Sequence, residues 1–158
     1  MHNFPGQFDD ASLRRLNQML EGKGYRLDYE GDVLQLTSIE QTFKPLSIDF
    51  TAGSNRHRRL FGGGIGQPLA RAVGIKGAYR PVVLDVTAGL AKDAFVLATL
   101  GCEVTMLERS PVIAALLANA LERAVADIDI AVIIKRLSLL QIDSLHYLQQ
   151  ISAGNLPS

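Results

Sequence analysis

The residues with the clearest chemical consequence lie in VVLDVTAGLAKDAF, Val82 to Phe95, and at Glu108. The apolar run ending at Asp85 reads as a buried strand, Thr87-Ala88-Gly89-Leu90-Ala91 as a sharp turn of small residues, and Asp93 as the start of a helix. Set against the acidic-x-Gly-x-Gly-x-Gly pattern of a dinucleotide loop, only the middle glycine, Gly89, is present. A pyrophosphate presses its bulk against the helix N-terminus and needs more bare backbone than this turn offers. A nucleoside without phosphates is less demanding, and Thr87 and Ala91 are small enough to allow close approach. Glu108 stands nineteen residues after Gly89, at the end of the next strand pattern. A carboxylate there can accept both hydroxyls of a ribose. A solvated acid at a strand end is the plain alternative.

The ribose reading fits NAD and S-adenosylmethionine alike. The glycine-poor turn favours S-adenosylmethionine, whose amino-acid end can lie over the turn near Asp85 and Gly89.

The elements that would hold these residues can be read along the chain. Residues 9–21 read as a short helix with acceptors at Asp9, Asp10 and Ser12 and an apolar face of Leu13, Leu16 and Leu20. YRLDYEGDVLQLT alternates around Glu30-Gly31-Asp32 and reads as a β-hairpin, and Pro45 to Phe50 as another strand. A Gly- and Arg-rich loop follows. It turns helical at Pro68, with Leu69, Ala72 and Val73 facing one way. From Val82 the pattern becomes strand Val82–Val86, helix Asp93–Leu100, strand Glu103–Leu107, helix Pro111–Val125, a short helix within Ile128–Lys135, strand Leu137–Ile142 and helix Ser144–Ile151. Strands alternating with helices imply parallel pairing by right-handed crossovers. The expected fold is therefore α/β, a partial Rossmann-like sheet with a small N-terminal β-rich subdomain. The expected divisions are 1–54 for the helix and β-rich subdomain, 55–80 for the basic loop and helix, and 81–158 for the nucleoside-binding half-domain. Three parallel strands make half of a doubly wound sheet. The chain is thus expected to be the N-terminal portion of a longer protein, with its third strand carrying an unpaired edge.

At 158 residues with sixteen basic and sixteen acidic side chains, the chain has no global field to attract polyanions. The balance conceals a one-signed interval. No carboxylate occurs between Asp49 and Asp85, where Arg56, His57, Arg58, Arg59, Arg71, Lys76 and Arg80 lie. Arg56, Arg58 and Arg59 can reach phosphate oxygens, and Gly62, Gly63 and Gly64 can turn amides toward an anion. A solvated Arg/Gly loop is the alternative. His57 reads as a hydrogen-bonding loop residue. The one cysteine, Cys102, excludes an intrachain disulfide, suits a reducing compartment and reads as a buried filler. No spacing of metal ligands occurs. The N-terminus has no basic region followed by an apolar run, and no segment approaches the about 20 apolar residues that span a bilayer. These features describe a soluble cytoplasmic protein without membrane or metal partners. Met106 and Leu116/Leu117 read as core. Tyr25, Tyr29 and Phe50 read as packing between hairpin and α/β layer, with an exposed stacking surface as the alternative.

Three segments together, SIDF, RHRRLFGGGIGQPLARAVGIKG and DVTAGLAKDAFVLATLGCEVTMLERSPVIAALL, resemble the ribosomal small-subunit methyltransferase J family in order and spacing from about Ile48 to Leu145. That resemblance implies S-adenosylmethionine as cofactor, 16S rRNA of the small ribosomal subunit as partner, and methyl transfer to the exocyclic N2 of a guanine. It implies a cofactor set of Asp85, Thr87, Gly89, Lys92, Asp93, Glu108, Arg109, Asp143 and Ser144, with Arg56, Arg58 and Arg59 on RNA. The family's loop ends in Gly-Arg-Asp, here Ala91-Lys92-Asp93. Lys92 keeps the charge but loses the planar fork. The family's Ser-Ser after the third strand is here Asp143-Ser144, and Asp143 becomes an acceptor for the adenine amino group. The family's catalytic Asp-Pro-Met-Phe-Pro does not occur in the sequence, so catalytic residues are expected beyond Ser158. Two other readings stand beside this one: a non-enzymatic RNA- or nucleoside-binding module, and a nicotinamide-dependent oxidoreductase.

Overall fold

The computed structural model describes residues 9–51 and 64–154. Helix α1 (Asp10–Leu20) starts where Asp9 accepts the Ser12 amide at 2.8 Å, and those bonds hold the Asp9 carboxyl below its ordinary value. Leu16 and Leu20 are its buried residues. Strands β1 (Tyr25–Glu30) and β2 (Val33–Ser38) form the expected antiparallel hairpin, with Glu30 opposite Val33. Gly31 takes the turn at φ +63°, where a side chain would be strained. The Asn17 amide on α1 pairs both polar groups of Leu27, at 2.9 and 2.7 Å, so that part of the hairpin edge is satisfied from within the molecule.

Pro45–Phe50 does not become a strand. Only Leu46 pairs with the hairpin, through a single bridge to Leu36. Beyond it the backbone is claimed elsewhere. Arg123 donates to the Ile48 carbonyl, Asp49 turns back to accept the Thr51 amide and hydroxyl at 2.8 and 2.6 Å, and the Phe50 ring stacks on Phe95 with centroids 5.2 Å apart. Phe50 is buried and Tyr29 half-buried, as packing requires, whereas Tyr25 is exposed.

A 3-10 turn at Gly64–Gly66 leads into α2 (Pro68–Ala72), which begins at the expected proline. Its buried residue is Ala70. Leu69 and Val73 are half-buried, and Ala72, expected on the inner face, is exposed because the helix is too short to hold a full apolar stripe.

The second half is the expected Rossmann-like α/β arrangement. Strand β3 (Val83–Asp85), α3 (Lys92–Thr99), β4 (Val104–Leu107), α4 (Pro111–Val125), α5 (Ala131–Ile134), β5 (Leu137–Leu140) and α6 (Ser144–Ser152) follow one another. The strands pair in the order β3-β4-β5, all parallel. Central β4 buries Val104, Met106 and Leu107, as a strand covered on both faces should. Helix α4 opens at Ser110 with Pro111 in its first turn and buries Leu116, Leu117 and Leu121. The apolar core is continuous, joining Leu16, Leu27 and Leu34 of the N-terminal elements to the α/β layer.

At the sheet end away from Asp85, two guanidinium groups satisfy the terminal carbonyls of α3: Arg80 donates to Leu100 and Arg136 to Ala98. Arg80 is therefore a structural cap and leaves the phosphate-binding interval read from the sequence. Cys102 is fully buried beside it, and burial pushes its thiol up, in keeping with a filler. Among the described residues the sheet has two outer strands, β5, where an unpaired edge was expected, and β3 as well.

Candidate nucleoside-binding site

Parallel strands deliver their C-terminal ends to one side of the sheet, and three turns converge there. In the β3–α3 turn, the Asp85 carboxylate accepts the Thr87 amide at 3.0 Å. Gly89 follows at φ +52°, and a Cβ built on it would meet only the Thr87 carbonyl at 3.8 Å. The glycine is required by conformation rather than by space. Ala91, the residue before α3, adopts φ +55° while fully buried, an uncommon conformation for alanine.

Glu108 joins this turn to the next. One carboxylate oxygen accepts the Gly89 amide at 3.1 Å and the other the Ser110 amide at 2.7 Å. Its backbone bonds to both sides of the β5 end, donating to Leu140 at 3.0 Å and accepting from Ile142 at 3.1 Å. In the third turn, Asp143 caps α6, one oxygen accepting the Leu145 and His146 amides at 3.0 and 3.2 Å.

Around these turns lie two cavities. One, of about 380 Å³, is lined by Thr87, Gly89, Glu108, Arg109, Asp143 and Ser144, with apolar walls from Val86, Leu107 and Leu145. The other, of about 530 Å³, runs along β3 and holds Asp85, Lys92 and Asp93 at its rim. Val86 and Thr87 line both, so the nine candidate cofactor residues fall into two groups that meet at Thr87. Four carboxylates face two cations across the pair of cavities, which repels a pyrophosphate and favours a cationic ligand. Sequence reading missed the Ser110 amide and the apolar walls. Backbone groups leave no mark on residue type, and Val86, Leu107 and Leu145 read as ordinary strand or helix residues. Arg56, Arg58 and Arg59 lie outside the described residues. Among the described residues no three His, Cys, Asp or Glu side chains cluster to hold a metal ion, and no helix is long and apolar enough to cross a membrane.

The geometry agrees with comparison to known proteins. A family model described as "Putative SAM-dependent methyltransferase" matches residues 12–156. The chain belongs to the SAM-dependent methyltransferase family. Curated relatives named ribosomal RNA small subunit methyltransferase J include one from Stutzerimonas stutzeri, 55% identical over 117 residues, which are 73% of this chain and 45% of that protein. Another, from Laribacter hongkongensis, is 50% identical over 134 residues, 85% of this chain and 47% of the relative. The chain thus spans about half the length of the curated relatives it matches. Among solved structures, the SAM-dependent methyltransferase NGO1261 from Neisseria gonorrhoeae superposes with a TM-score of 0.71 at 29% identity, covering 92% of this chain and 61% of that one. Family membership accords with the resemblance read from the loop, Glu108-Arg109 and the basic segment, and neither the nicotinamide-dependent oxidoreductase nor the non-enzymatic module gains support from these matches.

Proposed function

We propose that this chain forms the S-adenosylmethionine-binding part of an enzyme that methylates the exocyclic N2 of a guanine in 16S rRNA, in the cytoplasm, with the rRNA or the small ribosomal subunit as partner. One observation carries the reading: Glu108 stands in a cavity with Thr87, Gly89, Arg109, Asp143 and Ser144, its carboxylate already oriented by two backbone amides.

The residues present fit the cofactor. Each Glu108 oxygen accepts one amide and keeps a lone pair for a ribose hydroxyl. The Asp143 oxygen not engaged by the α6 amides is available to an adenine amino group. Beyond Thr87, the second cavity offers Asp85 and Asp93 to an ammonium group and Lys92 to a carboxylate, matching the amino-acid end of the cofactor. The surplus of carboxylates suits a sulfonium centre.

When bound, S-adenosylmethionine supplies an electrophilic methyl group on sulfur. The chain's own contribution is position. Glu108 fixes the ribose, Asp143 the adenine and the Asp85–Asp93 turn the amino-acid end, which sets the direction from which an amine must approach. A target guanine must leave its stack, at a cost of about a few kcal/mol. Arg56, Arg58 and Arg59 would offset part of this by holding phosphates. No residue of this chain is assigned to orient the guanine amine.

A chimera tests the proposal. This chain replaces the matched stretch of the Stutzerimonas stutzeri relative, and the product is incubated with radiolabelled S-adenosylmethionine and unmodified 16S rRNA, free or in the small subunit. Label in N2-methylguanosine is the expected result. Absence of label from a folded chimera, with the unaltered relative active alongside, overturns it.

A further inference from the structure

We infer that the turn Lys76–Tyr79 is an RNA contact in its own right, in which Tyr79 stacks on a base of single-stranded RNA and Lys76 holds a neighbouring phosphate. The inference rests on RNA as the partner, as proposed above, and gives that partner a surface apart from the cofactor cavities.

The turn is firmly built. Lys76 and Tyr79 face each other as an antiparallel bridge, the Tyr79 amide donating to the Lys76 carbonyl at 2.9 Å. Gly77 supplies the positive φ, +53°, that so tight a reversal needs at its first central position. Both flanks are fixed. On one side Ile75 is buried, and its amide donates to Ala70 of α2 at 2.9 Å. On the other, one guanidinium nitrogen of Arg80 donates to the carbonyls of Gly77 and Tyr79 at 2.8 and 2.9 Å, while a second reaches Leu100 at the end of α3. The charge of Arg80 is thus used to hold Tyr79 in place.

What this scaffold presents is a ring in solvent. Tyr79 is 65% exposed, and among the described residues its side chain has no hydrogen-bond or ring partner. Residues opposed across an antiparallel pair leave the ribbon on the same face, so the Lys76 ammonium stands beside the ring. Charge selects the occupant. No carboxylate occurs between Asp49 and Asp85, and Arg71 and Lys76 are exposed, whereas the one ion pair among the described residues is Arg26–Asp28. The apolar part is small, Tyr79 with Val82 three residues on, where a protein partner would draw on a contiguous patch. A ring with a cation at its side matches a base and its phosphate, and the stack accepts any base. Exposed Glu103, whose carbonyl accepts the Val83 amide, bounds this surface on the β4 side, so the basic path leads back past Arg71 along α2. That helix contributes Leu69 and Val73 to the cavity that holds Asp85 and Lys92. Tyr79 and Asp85 are six residues apart, a span of at most about 22 Å, so the stacked base flanks the target nucleotide and steadies the strand while the target leaves its stack.

The test is fluorescence anisotropy of a labelled single-stranded RNA of about twelve nucleotides with the 158-residue chain and, in parallel, with the chimera, over a range of salt. Tyr79→Ala should weaken binding at least about fivefold and Tyr79→Phe, which keeps the ring, less than about twofold. The two substitutions at Lys76 and Tyr79 carry different signatures. Tyr79→Ala should leave the slope of log K against log salt unchanged, whereas Lys76→Gln should reduce it by about 0.7, one phosphate of a single strand. Both side chains are exposed, so each variant should keep the circular dichroism of the parent, and in the chimera each should keep its affinity for S-adenosylhomocysteine. Binding by the parent that Tyr79→Ala leaves unchanged overturns the inference alone. No binding of the RNA by either the chain or the chimera overturns it together with the proposed partner. Self-association of the chain that Tyr79→Ala abolishes, with RNA binding unaltered, also overturns it and assigns the surface to a second copy.

Discussion

Glu108 connects three turns through one residue, its side chain reaching Gly89 and Ser110 and its backbone reaching Leu140 and Ile142. Glu108→Ala should therefore act on binding and on stability together. S-adenosylhomocysteine affinity should fall at least tenfold, and urea unfolding should register a loss of about 1–3 kcal/mol as two amides lose a charged acceptor. Glu108→Gln keeps one acceptor oxygen and should fall between. Unchanged affinity in the alanine variant would remove Glu108 from the site. Ala91 makes the opposite case. Its buried left-handed backbone costs about 1 kcal/mol, so Ala91→Gly should raise unfolding stability by up to that amount, measurable as a higher urea midpoint. A lower midpoint would mean that the buried methyl contributes more by packing than the backbone loses by strain. The pairing of Glu108 with Gly89 was legible in the sequence only as a spacing, a turn glycine and a strand-end acid nineteen residues on, which the structure joins by a hydrogen bond. The conformation of Ala91 was not, since alanine carries no signal for it; only the glycine at that position in the family the loop resembles pointed there.

At the scale of elements, the hairpin is fastened to the α/β layer by Asn119, which is only 5% exposed. It accepts the Leu34 amide at 3.0 Å, donates to the Asp32 carbonyl at 3.0 Å and is itself held by Arg123 at 3.1 Å. Asn119→Ala strands a buried amide and a carbonyl, and should lower stability by about 2–3 kcal/mol in urea unfolding, with faster amide exchange at Leu34. A change below about 0.5 kcal/mol would show that the hairpin holds by apolar packing alone. Helix α4 was read to the residue because Ser110-Pro111 is a strong start signal and its apolar positions persist over four turns. Asn119 within it gave no sign of its role, because its partners lie 85 and 87 residues away. Pro45–Phe50 was misread for a related reason. Apolar alternation reports a tendency to extend, but a strand also needs a partner along its length, and here Arg123, Asp49 and Phe95 draw the backbone and ring away after Leu46.

Across the whole molecule, a formal charge of zero hides a division of labour. Residues 9–51 carry five basic and eight acidic side chains, a net of −3, which makes the N-terminal elements a poor surface for RNA. The carboxylate-free interval was visible as a run, but linear reading could not separate Arg80, which caps α3 at the far end of the sheet, from the arginines before α2. Arg56, Arg58 and Arg59 remain as the proposed phosphate ligands. Replacing all three with Gln should weaken rRNA binding by the chimera and reduce the slope of log K against log salt by about 0.7–0.9 for each phosphate no longer neutralised. An unchanged slope would take the segment out of the RNA interface.

The most direct test of the central claim, that the cavity at Gly89 and Glu108 receives a phosphate-free, cationic adenosine derivative, is calorimetric titration of the chimera with S-adenosylhomocysteine and S-adenosylmethionine, each against NAD. The account predicts one-to-one binding of both sulfur nucleosides, loss of that heat in Glu108→Ala, and no measurable NAD binding. Clear binding of NAD with no heat from either sulfur nucleoside would contradict it.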